Sequence, residues 1–452
     1  MKGKKKNIEL EIRELLDVNY YYSSEKINLF NRSIKNKYFV ENIYFSIGLF
    51  FLIWLSQIRY FFSSKKKIEP NQILLFSFTK NQKDSLKSLL SMRKDCMLFG
   101  NKKNADHMLP EYKAFFYSLP FFLKVYKIYK KSEGYIKCSF KNAYFKYWLT
   151  YGYLKMLINF FKKNKVKVAI VSSDHSMRTR VIAYAAKSCE TKSIYIQHAS
   201  VTTDFPKLVF DYALLEGNDA LDKYKKIGNI VSDIFLLGSL KLGKNMNVNK
   251  NTTVETIGVC IDLVSDLSIV DELIVELLKH FSSKNIILRP HPREERWDLI
   301  RNFQVKHNIN ISQSNKVDVV DFLDKVDCII SGESNIHLEA TLMNIVPIYY
   351  SFSIAENKDV YGFIANKLIM YIADDMQELN GIINDLKIKK PNIRNRAKYY
   401  DASIGTNFDG NTLVMYNQVI SSIKTNDKTF IKLNFDLSLY GDYKVYTLKA
   451  IS

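Results

Sequence analysis

The sequence predicts an α/β protein with two Rossmann-like, doubly wound domains that face a cleft, preceded by an N-terminal helical extension. The chain has 452 residues, which is enough for two or three domains with buried cores. From residue 70 onward, short apolar runs alternate with stretches of helical periodicity, the pattern typical of parallel α/β sheets. The alternation pauses near Gly238 and then restarts, so we expect two sheets rather than one.

The first half of the alternation contains five strand-like segments. They are residues 73–78 (ILLFSF), 166–171 (VKVAIV), 193–197 (SIYIQ), 212–215 (YALL) and a run that ends at residue 237. Continuous apolar runs of this length are typical of strands that are buried on both faces of a sheet. We assign residues 69–237 to the first Rossmann-like domain.

The second half repeats the pattern. Its strand-like segments are residues 257–261 (IGVCI), 286–288 (IIL), 328–330 (CII) and 347–350 (PIYY), with helical spacing of apolar residues over 269–281 and 338–343. We assign residues 238–424 to the second Rossmann-like domain. The remaining tail, residues 425–452, alternates around Gly441 in the manner of a β-hairpin.

Composition and cysteine content exclude several classes of protein. Lys and Arg number 66 against 46 Asp and Glu, a net charge of +20, so polyanions, nucleotides and anionic lipid surfaces are candidate partners. The five cysteines are odd in number and form no Cys-x-x-Cys pair, so we expect neither disulfides nor a zinc site and place the protein in the cytoplasm. No Walker P-loop, G-x-G-x-x-G, G-x-S-x-G or H-E-x-x-H motif is present, which disfavours kinases, dehydrogenases, hydrolases and zinc proteases.

Residues 43–62 (IYFSIGLFFLIWLSQIRYFF) are strongly apolar, and three lysines follow at 65–67. A spanning helix needs about 20 mostly apolar residues, and Arg59 interrupts the run. An interfacial helix with Trp54 and Tyr60 at headgroup level and the lysines on anionic lipid is the second interpretation. A helix buried against the first domain is the third. We treat residues 1–68 as an N-terminal extension, in which the three interpretations of the apolar helix stay open, and expect the protein to be peripheral at the inner face of the cell membrane.

Residues 115–165 interleave aromatic residues with lysine. This composition suits a single-stranded nucleic-acid platform, a membrane-facing surface, or helices with ordinary cores and lysine rims. Because no nucleic-acid-binding module is recognisable in the chain, we expect no nucleic-acid partner.

Two segments of the second half carry residues suited to a nucleotide. Ligands of open α/β sheets bind beyond the carboxyl ends of the strands. The strand at 286–288 is followed by Arg289, His291, Pro292 and Arg293, in which a histidine fixed between prolines can donate to phosphate oxygens as a cation beside arginines.

The strand at 328–330 is followed by a run of small and polar residues that leads into a helix. The run comprises Ser331, Gly332, Glu333, Ser334 and Asn335. Backbone amides at such a helix start are available to a phosphate, although a simple helix cap is the alternative interpretation. Glu339, one turn into the helix, is placed to bind ribose hydroxyls.

Two segments of the first half carry candidate general bases. His198 leaves the strand at 193–197, and Asp174 and His175 leave the strand at 166–171. Histidine accepts protons near neutral pH, which suits it to activate an acceptor hydroxyl. Asp174 can serve as the base itself, can orient an acceptor sugar, or can cap the following helix.

The order of these motifs resembles bacterial GT-B glycosyltransferases that build capsules, lipopolysaccharide and teichoic acids. Over residues 70–424 the chain is similar to the sialyl-, polysialyl- and Kdo-transferases and to the CDP-glycerol glycerophosphotransferases. The resemblance implies that His291, Ser331 and Ser334 hold the donor's phosphate and that His198 is the base. Ala199 replaces the glycine of the teichoic-acid family's His-Gly pair, and the sialyltransferases use an acidic residue, so the base stays open between His198, Asp174 and His175.

The resemblance implies an inverting glycosyltransferase that moves a sugar from a nucleotide-sugar donor, with CMP-sugars favoured, to a growing glycan or lipid-linked acceptor of capsule, O-antigen or lipopolysaccharide. A CDP-glycerol or ribitol phosphotransferase is the first alternative. Residues 318–340 also resemble UDP-N-acetylglucosamine 2-epimerases, and a non-catalytic glycan- or lipid-binding protein is the last alternative. We expect no metal and no cofactor, because His291, the arginines and the helix start can neutralise the leaving group.

Overall fold

The computed structural model describes residues 43–58, 68, 72–101, 103–203, 205–241, 246–352 and 359–451. The chain divides into two compact units. The first unit comprises Met1–Glu216, Ala220–Leu240 and Leu413–Lys449, and the second comprises Gly217–Asp219, Lys241–Thr412 and Ala450–Ser452. Each unit is built around its own sheet.

The first unit contains a nine-stranded sheet. Its strands are β1 (Ile73–Ser77), β2 (Cys96–Gly100), β3 (His107–Met108), β4 (Val168–Val171), β5 (Lys192–Ile196), β6 (Tyr212–Leu215), β7 (Asp233–Leu236), β14 (Phe435–Tyr440) and β15 (Tyr443–Leu448). Its helices are α1 (Ile43–Ile58), α2 (Lys80–Met92), α3 (Glu111–Ser118), α4 (Phe122–Lys131), α5 (Gly134–Asn164), α6 (Met177–Lys187), α7 (Asn218–Ile227), α13 (Thr412–Thr425) and α14 (Thr429–Asn434).

The strand order of this sheet is β14-β15-β7-β6-β5-β4-β1-β2-β3. All pairs are parallel except the β14–β15 hairpin. The chain runs outward from β1 to β3 and then returns to the other side of β1 as β4, so the direction of the winding changes between β1 and β4. Every residue of β1 and β4 is buried, which accounts for their continuous apolar sequences.

A helical layer of the first unit contains the apolar segment near the N-terminus. Phe50 of α1 is buried and stacks on Trp148 of α5, with ring centroids 3.8 Å apart. Gly152 allows α5 to approach α3 closely, because a Cβ there would lie 1.8 Å from the carbonyl oxygen of Ala114. Within the described residues, no helix combines the length and the apolar character needed to cross a membrane. Tyr60 and the lysines at 65–67 lie outside the described residues.

The C-terminal part of the chain returns to the first unit. Arg93 donates to the carbonyl and side-chain oxygens of Asn417 at 3.0 and 2.6 Å, and the Tyr416 hydroxyl donates to the Gly238 carbonyl at 2.9 Å. Residues 413–424 therefore belong to the first unit, whereas the sequence analysis assigned them to the second domain. The tail beyond them forms a short helix and the β14–β15 hairpin, which adds to β7 at the edge of the sheet.

The second unit contains a six-stranded parallel sheet of order β10-β9-β8-β11-β12-β13. Its strands are β8 (Ile257–Ile261), β9 (Ile286–Pro290), β10 (Asn310–Ile311), β11 (Cys328–Ser331), β12 (Val346–Tyr350) and β13 (Tyr371–Ala373). Its helices are α8 (Leu267–Leu277), α9 (Trp297–His307), α10 (Val319–Leu323), α11 (Ile336–Leu342) and α12 (Met376–Ile388). Aliphatic side chains of β8, β9, β11 and β12 pack with α8, α9 and α12 to form one core.

Candidate active site

Each sheet has one position where its winding changes direction. The change lies between β1 and β4 in the first unit and between β8 and β11 in the second. The loops that leave two such strands turn to opposite faces of the sheet, which opens a crevice at the carboxyl edge where ligands bind. The candidate residues of the sequence analysis follow β4 and β5 in the first unit, and β9 and β11 in the second.

His291 follows β9, which pairs with β8. Its Nδ1 accepts a hydrogen bond from the Arg293 backbone N–H at 3.1 Å, so the neutral ring carries its proton on Nε2. Burial, assisted by the charge of Arg293, lowers the pKa of His291 below its usual value. The ring is therefore a neutral N–H donor at neutral pH, whereas the sequence analysis expected a cation. Pro292 and Arg293 are exposed.

A buried ion pair holds the loop that carries His291. The Arg296 guanidinium contacts the Glu294 carboxylate through Nε at 2.8 Å, and the Glu294 side chain is 1% exposed. The same guanidinium donates to the carbonyl oxygens of Ser265 at 2.7 Å and Asp262 at 3.0 Å in the loop after β8. Arg296 thereby fixes the His291 loop to the loop at the change of winding. The sequence analysis missed this residue, although it closes the same run of charged residues.

Two residues that the sequence suggested for nucleotide binding, Arg289 and Ser331, have partners within the protein. Arg289 donates to the Ser312 hydroxyl at 2.8 Å and the Val317 carbonyl at 3.1 Å. The Ser331 hydroxyl is buried and donates to the Cys260 carbonyl at 3.0 Å, which joins β11 to β8. These contacts occupy groups that the sequence analysis assigned to the phosphate.

The loop between β11 and α11 exposes backbone amides. The N–H groups of Glu333, Ser334 and Asn335 meet no acceptor among the described residues, and Asn335 Oδ1 is buried there without a hydrogen bond. The Glu333 carboxylate accepts from the backbone N–H groups of Asp359 and Tyr361 at 2.8 and 3.3 Å. Burial raises the pKa of Glu333. Glu333 therefore anchors a neighbouring loop, while its own amide stays available.

His337 holds this loop through a hydrogen bond to its backbone. The ring is buried, and its Nε2 lies 2.8 Å from the Gly332 carbonyl oxygen, to which it donates. Burial lowers the pKa of His337 to about 4, so the ring is neutral near pH 7. Glu339, in the same helix, forms an ion pair with Lys241. The Glu339 side chain is 16% exposed, so the carboxylate expected to bind ribose is already engaged by a cation.

The first unit contains an Asp–His dyad after β4. Asp174 is fully buried, and its Oδ1 lies 2.9 Å from Nδ1 of His175. The Tyr224 hydroxyl donates to the other carboxylate oxygen, and Arg180 donates to the Asp174 carbonyl at 3.2 Å. With Nδ1–H directed at the carboxylate, Nε2 is the basic nitrogen of the His175 ring. The His175 side chain is 17% exposed, while Asp174 has no exposed surface.

His198 lies beyond the neighbouring strand β5. The residue before it, Gln197, donates to the Ala199 carbonyl at 3.0 Å and to Glu216 at 3.2 Å, and accepts from the Glu216 backbone N–H. These bonds fix the backbone on both sides of His198. Tyr224, the second hydrogen-bond partner of the Asp174 carboxylate, follows Asp174 by fifty residues, and no local sequence signal identifies it.

Within the described part of the chain, no group of three or more His, Cys, Asp or Glu side chains is arranged to hold a metal ion. The polar groups at the two carboxyl edges include histidines, the buried carboxylate of Asp174 and backbone amides. This arrangement can accept a proton in the first unit and can donate hydrogen bonds to an anion in the second.

Comparison with solved structures identifies the fold. The UDP-GlcNAc 2-epimerase from Neisseria meningitidis, solved with UDP-GlcNAc bound, has a TM-score of 0.51 at 11% identity, over 78% of this chain and 100% of that chain. The UDP-GlcNAc 2-epimerase from Methanocaldococcus jannaschii has a TM-score of 0.50 at 12% identity, over 77% and 99%. The wall teichoic acid polymerase TagF has a TM-score of 0.48 at 11% identity, over 84% and 98%.

The similarity to the two epimerases shows that this chain has the GT-B fold, as the sequence analysis expected. No protein-family model matches the chain. No curated protein matches it either.

Proposed function

We propose that this protein is a metal-independent, inverting glycosyltransferase that transfers a sugar from a nucleotide-sugar donor to a hydroxyl group of a growing bacterial surface glycan. The observation that carries the proposal is the Asp174–His175 dyad at the carboxyl edge of one sheet of a GT-B fold. A buried carboxylate that orients a histidine is suited to general base catalysis. We place the reaction at the inner face of the cell membrane, on the capsule, O-antigen or lipopolysaccharide acceptors implied by the sequence motifs.

In the proposed reaction, His175 Nε2 takes the proton of the acceptor hydroxyl. The hydroxyl oxygen then attacks the anomeric carbon of the donor, the bond from that carbon to the phosphate oxygen breaks, and the nucleotide leaves with the bonding electrons. One displacement inverts the anomeric configuration. The Asp174 carboxylate, which accepts the Nδ1–H bond, stabilises the imidazolium and is therefore a positioning residue rather than the base.

The second unit would bind the donor through neutral donors. His291 Nε2–H and the amides of Glu333, Ser334 and Asn335 can hydrogen-bond the phosphate oxygens and stabilise the charge that develops on the leaving nucleotide. Glu339 can accept from ribose hydroxyls while it retains Lys241 as its counter-ion. The UDP-GlcNAc bound to the Neisseria epimerase supports a nucleotide-sugar donor for this fold. Among donors, we favour CMP-sugars.

The phosphotransferase and epimerase alternatives share the fold and differ in product. A CDP-glycerol or ribitol phosphotransferase would transfer phosphorus into the polymer. An epimerase would invert a carbon of UDP-GlcNAc without an acceptor. The Asp174–His175 dyad favours the transferase over the epimerase, because it is suited to activate the hydroxyl of an acceptor.

A nucleotide panel followed by product analysis tests the proposal. We expect one of CMP, CDP, UDP, GDP and dTDP to stabilise the purified chain by about 2.7 kcal/mol at about 100 times its dissociation constant. Incubation of the matching donor sugar with membrane-derived glycan acceptor should then give an extended glycan that contains no added phosphorus. Added phosphorus would establish the phosphotransferase instead, and a C2 epimer formed without acceptor would establish the epimerase.

A further inference from the structure

The helical layer of the first unit presents apolar side chains that nothing in the described residues covers. We define the apolar face as Phe51, Leu52 and Leu55 on α1, Phe116 on α3, and Leu119 and Leu123 at the start of the α4 region. Each of these side chains is between 42% and 68% exposed. A contiguous apolar surface rimmed by charge marks an interaction site with a protein or a membrane.

Contacts to one indole ring place these residues on the same side of the layer. The Trp148 ring lies 6.1 Å from the Phe51 ring and 5.0 Å from the Phe122 ring, measured between centroids. Its Nε1 donates to the Ser118 carbonyl at the end of α3, at 2.6 Å. The Trp54 ring of α1 also lies 5.3 Å from the ring of Phe116, one of the exposed residues of α3, so the outward sides of these two helices adjoin. Phe122, beside Trp148, places the start of α4 next to them.

The fold itself does not require the apolar residues that point outward. A helix that packs on one side needs one apolar stripe, and its opposite side is normally polar. In α1, Phe50 is 1% exposed and fills the packed side, yet Leu52 and Leu55 are 63% and 55% exposed. The sequence of α1 contains no charged residue at all. Its outward side is therefore suited to an apolar environment outside the protein.

The charge beside this face selects the kind of partner. Helix α4 carries Lys124, Lys127, Lys130 and Lys131 and no acidic residue. Lys127, Lys130 and Lys131 are exposed. Two copies of the chain that met through this face would bring these lysines together and repel each other. An anionic lipid surface accepts both the apolar side chains and the lysines.

We propose that the apolar face and the α4 lysines dock this protein on an anionic lipid bilayer. The apolar side chains enter the boundary between headgroups and acyl chains, and the lysines contact the anionic headgroups. This inference rests on the proposed function for its biological role, because a lipid surface is where a membrane-bound acceptor would be presented. The physical basis is independent of that role.

Sedimentation of the full chain with vesicles tests the proposal. We expect binding to vesicles of phosphatidylcholine mixed with phosphatidylglycerol, and much weaker binding to phosphatidylcholine alone. Lys127→Gln combined with Lys130→Gln should weaken binding about 30-fold, because each basic residue near an anionic surface contributes a factor of about five. Leu52→Gln combined with Leu123→Gln should weaken it at least about tenfold through lost apolar burial.

Matched variants separate docking from general surface effects. Val231 and Val305 are 65% and 85% exposed and lie outside the apolar face, so changing both to Gln should leave vesicle binding intact. Lys87→Gln combined with Lys163→Gln removes the same charge from α2 and from the far end of α5 and should have a small effect. The proposal is overturned if the full chain does not bind anionic vesicles, or if the control and test variants lose vesicle binding equally.

Nucleotide binding, measured on the same preparations, separates this proposal from the proposed function. We expect the Leu52 and Leu123 variants to keep their thermal unfolding temperature and nucleotide affinity while they lose vesicle binding. Vesicle binding without any nucleotide affinity would leave the docking surface in place and remove the enzyme assignment. If the leucine variants do not fold, vesicle binding by the Lys127 and Lys130 double variant decides the test, because these side chains fill no core volume.

Discussion

The two sheets of this protein have the same winding order, yet their carboxyl edges carry different chemistry. Both run outward over three strands and then return to the other side of the first strand. The edge of the first sheet holds a buried carboxylate in contact with a histidine. The edge of the second holds a histidine with a lowered pKa and backbone amides that meet no acceptor among the residues described. Topology therefore supplies the position of a site, and the loop residues supply its function.

The partners of the buried acidic residues differ between the two sheet edges in the same way. Asp174 is directed at His175, a group that can change its charge during a reaction. Glu294 and Glu333 are directed at Arg296 and at backbone amides, which keep their charge or polarity throughout. The first edge is thus suited to proton transfer and the second to the binding of an anion.

Removal of the proposed base should have the largest effect. We expect His175→Ala to lower the turnover number by about 100- to 10,000-fold, the contribution of general base catalysis. Asp174→Asn should lower it as well, because the amide neither fixes the Nδ1–H tautomer nor stabilises the imidazolium. Both effects should appear in steady-state transfer assays with the donor that the nucleotide panel identifies.

The nucleotide affinity of these two variants should stay within about twofold of the parent, because both residues belong to the first unit. His198→Ala is the matched comparison. If this variant loses turnover and His175→Ala does not, His198 is the base and the dyad has a structural role.

Removal of the Arg296–Glu294 ion pair, which holds the loop that carries His291, should have the next largest effect. Breaking a fully buried pair costs about 3 to 5 kcal/mol. The Arg296 side chain is 29% exposed, so we expect Arg296→Met to lower the free energy of unfolding by about 2 to 3 kcal/mol. Nucleotide affinity should fall with it, because the His291 loop loses its bonds to Asp262 and Ser265.

Denaturant unfolding of Arg296→Met can be compared with Arg301→Met. Arg301 and Asp298 form a pair that is 66% and 97% exposed, and such surface pairs contribute about 0 to 1 kcal/mol. Equal losses in the two variants would show that the buried pair does not anchor the loop.

The sequence defines the central strands better than the edges of the sheets. The predicted segment 257–261 coincides with β8, because a strand buried on both faces is apolar throughout. The strands β10 and β13 have two and three residues and lie at or near an edge, where short pairing leaves little periodic signal. The segment β2 (CMLFG) was missed although four of its five residues are apolar, since it lacks the β-branched residues that mark β4 and β8 as strands.

The candidate site was also predictable only in part. Positions after strands identified His291, Asp174 and His175, because strand ends can be located from apolar runs. The partners Tyr224 and Arg296 depend on which distant or neighbouring loop each side chain meets, and that is a property of packing. The assignment of residues 413–424 failed for the same reason, since helical periodicity does not specify which unit a helix joins.

His337 is buried next to the loop between β11 and α11 and should make the second unit sensitive to acid. His337 has a pKa of about 4 in the folded state against a usual value of 6.5. Below pH 6.5 the unfolded chain binds a proton that the folded chain does not, so stability falls as the pH drops toward 4. We expect this residue to remove about 2 to 3 kcal/mol near pH 4.5. Urea unfolding should show His337→Gln losing less stability than the parent between pH 7.5 and pH 4.5, and parallel losses would contradict the assignment.

The smallest expected effect concerns the hydrogen bond that we propose His291 donates to the donor phosphate. A bond to a charged group contributes about 1.5 to 3 kcal/mol, and a neutral imidazole N–H belongs at the lower end. We therefore expect His291→Ala to weaken nucleotide binding about tenfold, as measured by calorimetry, with little change in unfolding temperature because the residue lies in a loop. His291→Gln keeps an N–H donor and should recover part of the affinity. If both variants bind the nucleotide as the parent does, His291 has no contact with the phosphate, and anion binding in the second unit would rest on the amides of Glu333, Ser334 and Asn335 alone.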